Sequence, residues 1–152
     1  MPSPISATRA DFIAYMGQAL EAQGLSPIAG RILGLLVFDG EARSFSDLAT
    51  ELGVSRGSIS VNARHLVARG AILRENRPGD RQDYFRIADQ SFDAMLSALS
   101  ARMRETATAV RGFAAALPGG AEAQRRLCGL AEFYGAMAAG VDEALRALSD
   151  RS

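Results

Sequence analysis

Side chains able to do chemistry are few in this 152-residue chain, and they are unevenly placed. His65 and Cys128 are its single histidine and single cysteine. They lie far apart in sequence, so no nucleophile–base pair and no ligand set with metal-binding spacing is visible. No Gly-rich phosphate loop occurs either. What the chain has instead is arginine: all 17 basic residues are Arg, against 17 acids and a net charge of zero. The absence of Lys, with so much Ala and Gly, reads first as the codon usage of a GC-rich genome. The distribution of charge says more than its sum. Between Arg56 and Arg86, seven Arg (Arg56, Arg64, Arg69, Arg74, Arg77, Arg81, Arg86) face three acids, an excess of +4. Residues 1–55 carry −3 (three Arg, six acids) and residues 87–152 carry −1 (seven Arg, eight acids). One short cationic stretch in a neutral to acidic chain points toward an anionic ligand and away from catalysis.

The elements that must position these arginines follow from apolar spacing and breakers. Ala7–Gln23 is expected to be a helix with Thr8 as its cap and Phe12, Ile13, Met16 and Leu20 at helical spacing. Ser26-Pro27 restarts the chain into a second helix to about Phe38, stopped by Asp39-Gly40; Pro is tolerated there because the first helical N–H has no partner anyway. Ser46 is expected to begin a brief helix carrying Leu48, Ala49 and Leu52. Gly53 breaks it, Ser55 caps the next, and that helix runs from Arg56 to about Arg69 with Ile59, Ala63, Leu66 and Val67 inward. Two short helices joined through a Gly-containing turn form a helix-turn-helix. Residues 71–76 and 82–87 then have strand character around the Pro78-Gly79-Asp80 turn, a β-hairpin with a basic tip.

The last third carries two heptad-like stripes. The first includes Leu96, Leu99, Met103, Val110 and Phe113; the second is Leu127, Leu130, Tyr134, Met137, Val141 and Leu148. The break Leu117-Pro118-Gly119-Gly120 separates them. Residues 1–117 cannot easily bury both stripes, so both are assigned to dimerisation, with the second supplying its contact residues. The expected architecture is mainly α with a small β-hairpin wing, a winged helix-turn-helix plus a helical dimerisation region. Its segments are 1–40 (N-terminal helices), 41–88 (winged helix-turn-helix) and 89–152 (long helices). No apolar run is long enough to span a bilayer and no signal peptide is visible at Met1–Ala10, so a soluble cytoplasmic protein without cofactor is expected.

This order of elements resembles the MarR superfamily of bacterial regulators. Gly24-Leu25-Ser26-Pro27-Ile28-Ala29-Gly30-Arg31-Ile32 and Val54-Ser55-Arg56-Gly57-Ser58-Ile59-Ser60-Val61-Asn62 are similar to its GbsR-type branch, with a Gly-Arg pair in the second helix and a Ser-basic-Gly-Ser-apolar-Ser run opening the fourth. The resemblance covers residues 10–90. It implies a homodimeric, ligand-responsive repressor of a pseudo-palindromic operator, with a small-molecule effector, sometimes a quaternary amine. Many relatives carry Arg where this chain has Val61.

On such a helix, Ser58, Val61, Asn62 and His65 are expected opposite the buried stripe, with Arg64 beside them. Arg56 would pair with guanine or phosphate, Asn62 with adenine, and Val61 would touch a thymine methyl in the major groove. Ser58 and Ser60, together with Ser44 and Ser46 of the preceding helix start, suit phosphate. Arg74, Arg77 and Arg81 of the wing suit a minor groove, with Asp80 holding Arg81. A winged helix can also serve as a protein-docking module; the basic wing favours DNA.

Overall fold

The computed structural model describes residues 1–89 and 91–151, apart from the side chain of Ser91. Its elements run α1 (Pro4–Ala22), α2 (Pro27–Asp39), β1 (Arg43–Ser44), α3 (Phe45–Leu52), α4 (Arg56–Ala68), β2 (Ile72–Asn76), β3 (Asp83–Ile87), α5 (Ser91–Ala115) and α6 (Glu122–Ser149). Contacts divide the chain into two compact units, Met1–Ser91 and Phe92–Ser152. Segments 1–40 and 41–88 of the sequence reading fall together in the first unit.

Serine caps open the first four helices. Ser3 caps α1 ahead of Pro4, and Ser26 caps α2 ahead of Pro27, its hydroxyl accepting from the Ile28 N–H at 3.1 Å. Helix α1 therefore starts one turn before the expected Thr8 cap. The same Ser-Pro grammar operates at both places, but residues 4–6 carry no apolar periodicity to announce it. Gly40 ends α2 in the left-handed region at φ 68°.

Helix α2 is the centre of the first unit. Ile32, Leu35 and Leu36 are fully buried, and they are joined in the core by Leu48, Ile59, Leu66 and Ile72. Helix α1 crosses α2 at backbone contact: a Cβ on Gly30 would lie 2.2 Å from the Met16 carbonyl oxygen. Only glycine fits there.

Arg9 reaches across from α1 to grip Asp39 with Nε and Nη2, both at 2.7 Å, and Glu51 at 2.9 Å, while Arg43 holds Asp39 at 2.8 Å. The hydrogen bonds from Arg9, reinforced by the Arg9 and Arg43 charges, keep the Asp39 carboxyl below its ordinary 3.8 despite opposing burial.

The sheet has order β1-β3-β2, antiparallel throughout, with Arg43 opposite Phe85, Arg74 opposite Phe85 and Ile72 opposite Ile87. Strand β1 is two residues long and has no sequence pattern of its own.

The second unit is a helical hairpin sealed by small residues. Ser100, Ala107 and Ala114 of α5 and Ala131 and Ala138 of α6 are its buried positions, each set spaced by seven. The antiparallel register is fixed at both ends. The Ser100 hydroxyl donates to Asp142 at 2.7 Å, Arg104 pairs with Asp142, and Gln124 Nε2 donates to the Ala114 carbonyl at 3.1 Å. Large apolar side chains stay outside this seam, among them Phe113 (70% exposed), Phe133 (56%), Leu130, Met137 and Leu148, with Leu127, Tyr134 and Val141 half-buried. Among the described residues no helix is long and apolar enough to cross a membrane.

Candidate nucleic-acid interface

Helix α4 begins where Ser55 accepts the Ser58 N–H at 3.1 Å, and it buries Ile59, Ala63 and Leu66. The outer face carries Arg56, Val61 (47% exposed), Arg64 and His65. Ser58 is half-buried, with its hydroxyl engaged by Ser55 at 3.0 Å.

Asn62 departs from its expected place. It is 6% exposed, its Nδ2 donates to the Ser58 carbonyl at 2.7 Å, and its Oδ1 is buried without a partner. The spacing explains the correction: 62 lies three residues after Ile59 and four before Leu66, on the flank of the buried stripe rather than opposite it. The Asn62 side chain turns toward the core and not outward with Val61. Val67, expected inward, is partly exposed.

Ser44 is corrected as well. It is buried, pairs with Tyr84 in the sheet, and caps α3 by accepting the Asp47 N–H at 3.1 Å, so the helix opens at Phe45 and not at Ser46. The Ser46 hydroxyl instead accepts from Arg56 Nη2 at 2.6 Å, while the Arg56 guanidinium lies 5.7 Å from the Phe45 ring centre. The Ser46 N–H is met by Gln82 Oε1 of the wing at 3.3 Å. The starts of α3 and α4 are thus tied to each other, and the start of α3 is tied to the wing.

Two hollows organise the cations. Ser60, Arg64 and Val67 of α4 look across a cleft of about 390 Å³ at Phe45, Arg74, Asp83 and Phe85. Arg56 and Arg81 border a second of about 270 Å³ with Phe45, Gln82 and Asp83. Phe45 and Asp83 belong to both, so four arginines gather around one stretch of surface.

The wing tip is built on Asp80. Its carboxylate accepts from the Tyr84 hydroxyl at 2.6 Å and from the Gln82 N–H at 2.9 Å. These bonds, the tyrosine's first, hold the Asp80 carboxyl below its usual range and push the Tyr84 phenol up. The expected grip of Asp80 on the Arg81 side chain is replaced by this tie to Tyr84. The Arg77 guanidinium carbon lies over the Tyr84 ring, 3.9 Å from its centre. Arg86, counted in the basic excess, is neutralised across the hairpin by Glu75. Phe45, Gln82, Asp83, Tyr84 and Phe85 are among the residues around these arginines that the sequence reading did not name as site residues. An aromatic four residues after Asp80, inside an Arg-rich hairpin, was the available signal for Tyr84.

A helix-turn-helix over α2, closed by a three-stranded sheet whose β2–β3 hairpin projects as a basic wing, defines a winged helix protein. The MarR family profile matches residues 23–83. A solved structure described as a transcriptional regulator superimposes with a TM-score of 0.74 at 33% identity, covering 94% of this chain and 99% of that one. The HTH-type transcriptional regulator MmpR5 of Mycobacterium tuberculosis (strain ATCC 25618 / H37Rv) is 46% identical over 85 residues, 55% of this chain. The match spans 52% of that protein's length, about half. Over residues 23–83 the chain is similar to the MarR family, and over nearly its whole length it is similar to a transcriptional regulator.

Proposed function

We propose that this protein is a sequence-specific double-stranded DNA-binding transcription regulator, a ligand-responsive repressor without catalytic activity, working in the cytoplasm. The carrying observation is the convergence of Arg56, Arg64, Arg74 and Arg81 on the two hollows that share Phe45 and Asp83. In this reading α4 enters the major groove. Val61 meets a thymine methyl, Arg64 and His65 face base edges, and Arg56 with Ser46, Ser58 and Ser60 lines the phosphates. Arg77 and Arg81 of the wing approach the minor groove. The Gly30-Arg31 pair and the Ser55–Ser60 run favour the GbsR-like branch.

We infer a homodimer on a pseudo-palindromic operator, with α1, α5 and α6 supplying the contact. The exposed row Leu130, Phe133 and Met137 of α6 is the support, together with the half-buried Leu127, Tyr134 and Val141. A small-molecule effector is carried by family similarity alone.

The test is selection of bound sequences from random duplexes, followed by a salt titration on the selected operator with sedimentation in parallel. A dimer neutralising about 6–10 phosphates is expected to lose on the order of 10³–10⁵ in affinity between about 50 and 200 mM salt. A flat salt response, or a protomer that stays single at micromolar concentration, would refute the reading. Screening metabolites for release of the complex then tests the effector.

A further inference from the structure

Gly30 and Arg31, the pair that opened the family resemblance, lie in α2, away from the surface where the arginines gather. Gly30 serves the crossing of α1, and the C-terminal end of α3 explains Arg31. A helix leaves its last carbonyls without intrahelical partners. Here the Gly53 cap and the Val54 N–H return to Thr50 and Ala49, and the Leu52 carbonyl, the last of α3, accepts from Arg31 Nη2 at 2.8 Å. A cation at a helix C-terminus also complements the helix dipole. The path of Arg31 is prepared by glycine: a Cβ on Gly17 would lie 3.0 Å from Arg31 Cγ. Only Gly53, Val54 and Ser55 separate the anchored Leu52 from Arg56, so any tilt of the end of α3 is handed to the first turn of α4.

We propose that Arg31 is a positioning residue for DNA recognition: it fixes the recognition helix by holding the Leu52 carbonyl, and it touches no nucleotide itself. This rests on the DNA-binding reading above. Arg9 supports the same turn by gripping Glu51. Arg31, Arg9, Glu51 and Leu52 border a hollow of about 200 Å³. Ala10, Ile13, Ala14 and Leu35 complete its lining, and the hollow has room for water to meet a Leu52 carbonyl released by Arg31, so the fold is expected to survive.

The experiment compares Arg31→Met, which keeps the stem over Gly17 and removes the donor, with Arg31→Lys, which keeps a donor. Each full-length chain is titrated with the selected operator and with an unrelated duplex across a salt series, and its melting temperature is recorded. Arg31→Met is expected to melt close to the parent. Its ratio of operator to unrelated affinity falls about tenfold, as for loss of a charged hydrogen bond. Affinity for the unrelated duplex and the salt slope stay unchanged, because no phosphate contact is lost. Arg31→Lys is expected to recover most of the ratio. The proposal is overturned if Arg31→Met keeps the parental ratio, if it lowers the salt slope, if it fails to fold, or if Arg31→Lys is no better than Arg31→Met. A parent chain with no operator preference would instead sink the DNA-binding reading.

Discussion

The two units of this chain close their interiors in opposite ways. Residues before Phe92 bury large aliphatic side chains, Ile32, Leu35, Leu36, Ile59 and Leu66, at positions shielded on all sides. The hairpin of α5 and α6 buries Ser100 and alanines, and it leaves phenylalanine, leucine and methionine outside. Burial of a large aliphatic side chain is worth about 1.5–3 kcal/mol, whereas an alanine methyl contributes little. The first unit can thus stabilise itself, while the second keeps most of its apolar surface in reserve. That reserve is what a second copy would cover, and its placement agrees with the dimer we propose.

Substitutions sharpen this contrast. The largest effect is expected in the first core: Leu36→Ala should destabilise by about 2–5 kcal/mol through lost burial and the cavity left behind, measured by chemical denaturation. A loss under about 1 kcal/mol would mean that this core is looser than its burial indicates. Overpacking the small-residue seam comes next. Ala138→Leu should cost about 1–3 kcal/mol and push α5 and α6 apart, read as early melting and faster amide exchange in residues 92–151. Unchanged exchange there would remove the distinction between the two interiors.

The smallest effect belongs to the ion cluster of the first unit. Asp39→Asn should cost about 1 kcal/mol at neutral pH. The carboxyl is held below its ordinary 3.8 in the folded chain. Its contribution is therefore complete above that value and vanishes as pH falls through the lower folded one. Parent and variant should converge in stability once the pH lies below the lowered folded-state value. A gap that persists there would show that packing, not charge, is what Asp39 supplies.

Most of the first unit was legible in the residues, because breakers and caps speak locally. Ser26-Pro27, Gly40, Gly53 and Ser55 mark boundaries that the structure keeps. What escaped was set by distant partners. Strand β1 exists only because Phe85 and Tyr84 lie opposite Arg43 and Ser44, and that pairing is what buries Ser44. Asn62, expected opposite the buried stripe, is polar yet buried, because its angle on α4 puts it beside Ile59 and Leu66. In the hairpin, large residues drew the eye to the outer stripes. The seven-residue rhythm of Ser100, Ala107 and Ala114 was present but quiet, since alanine is common everywhere in this chain.

The stacking of Arg77 on Tyr84, with Asp80 pinning the phenol, has a consequence for encounter. A long side chain free in water surrenders rotamer freedom when it docks, about 1.5–2 kcal/mol for arginine. Here the guanidinium already sits over a ring, so part of that loss is met during folding. If the hairpin docks on DNA as proposed, Arg77 arrives with part of that freedom already surrendered.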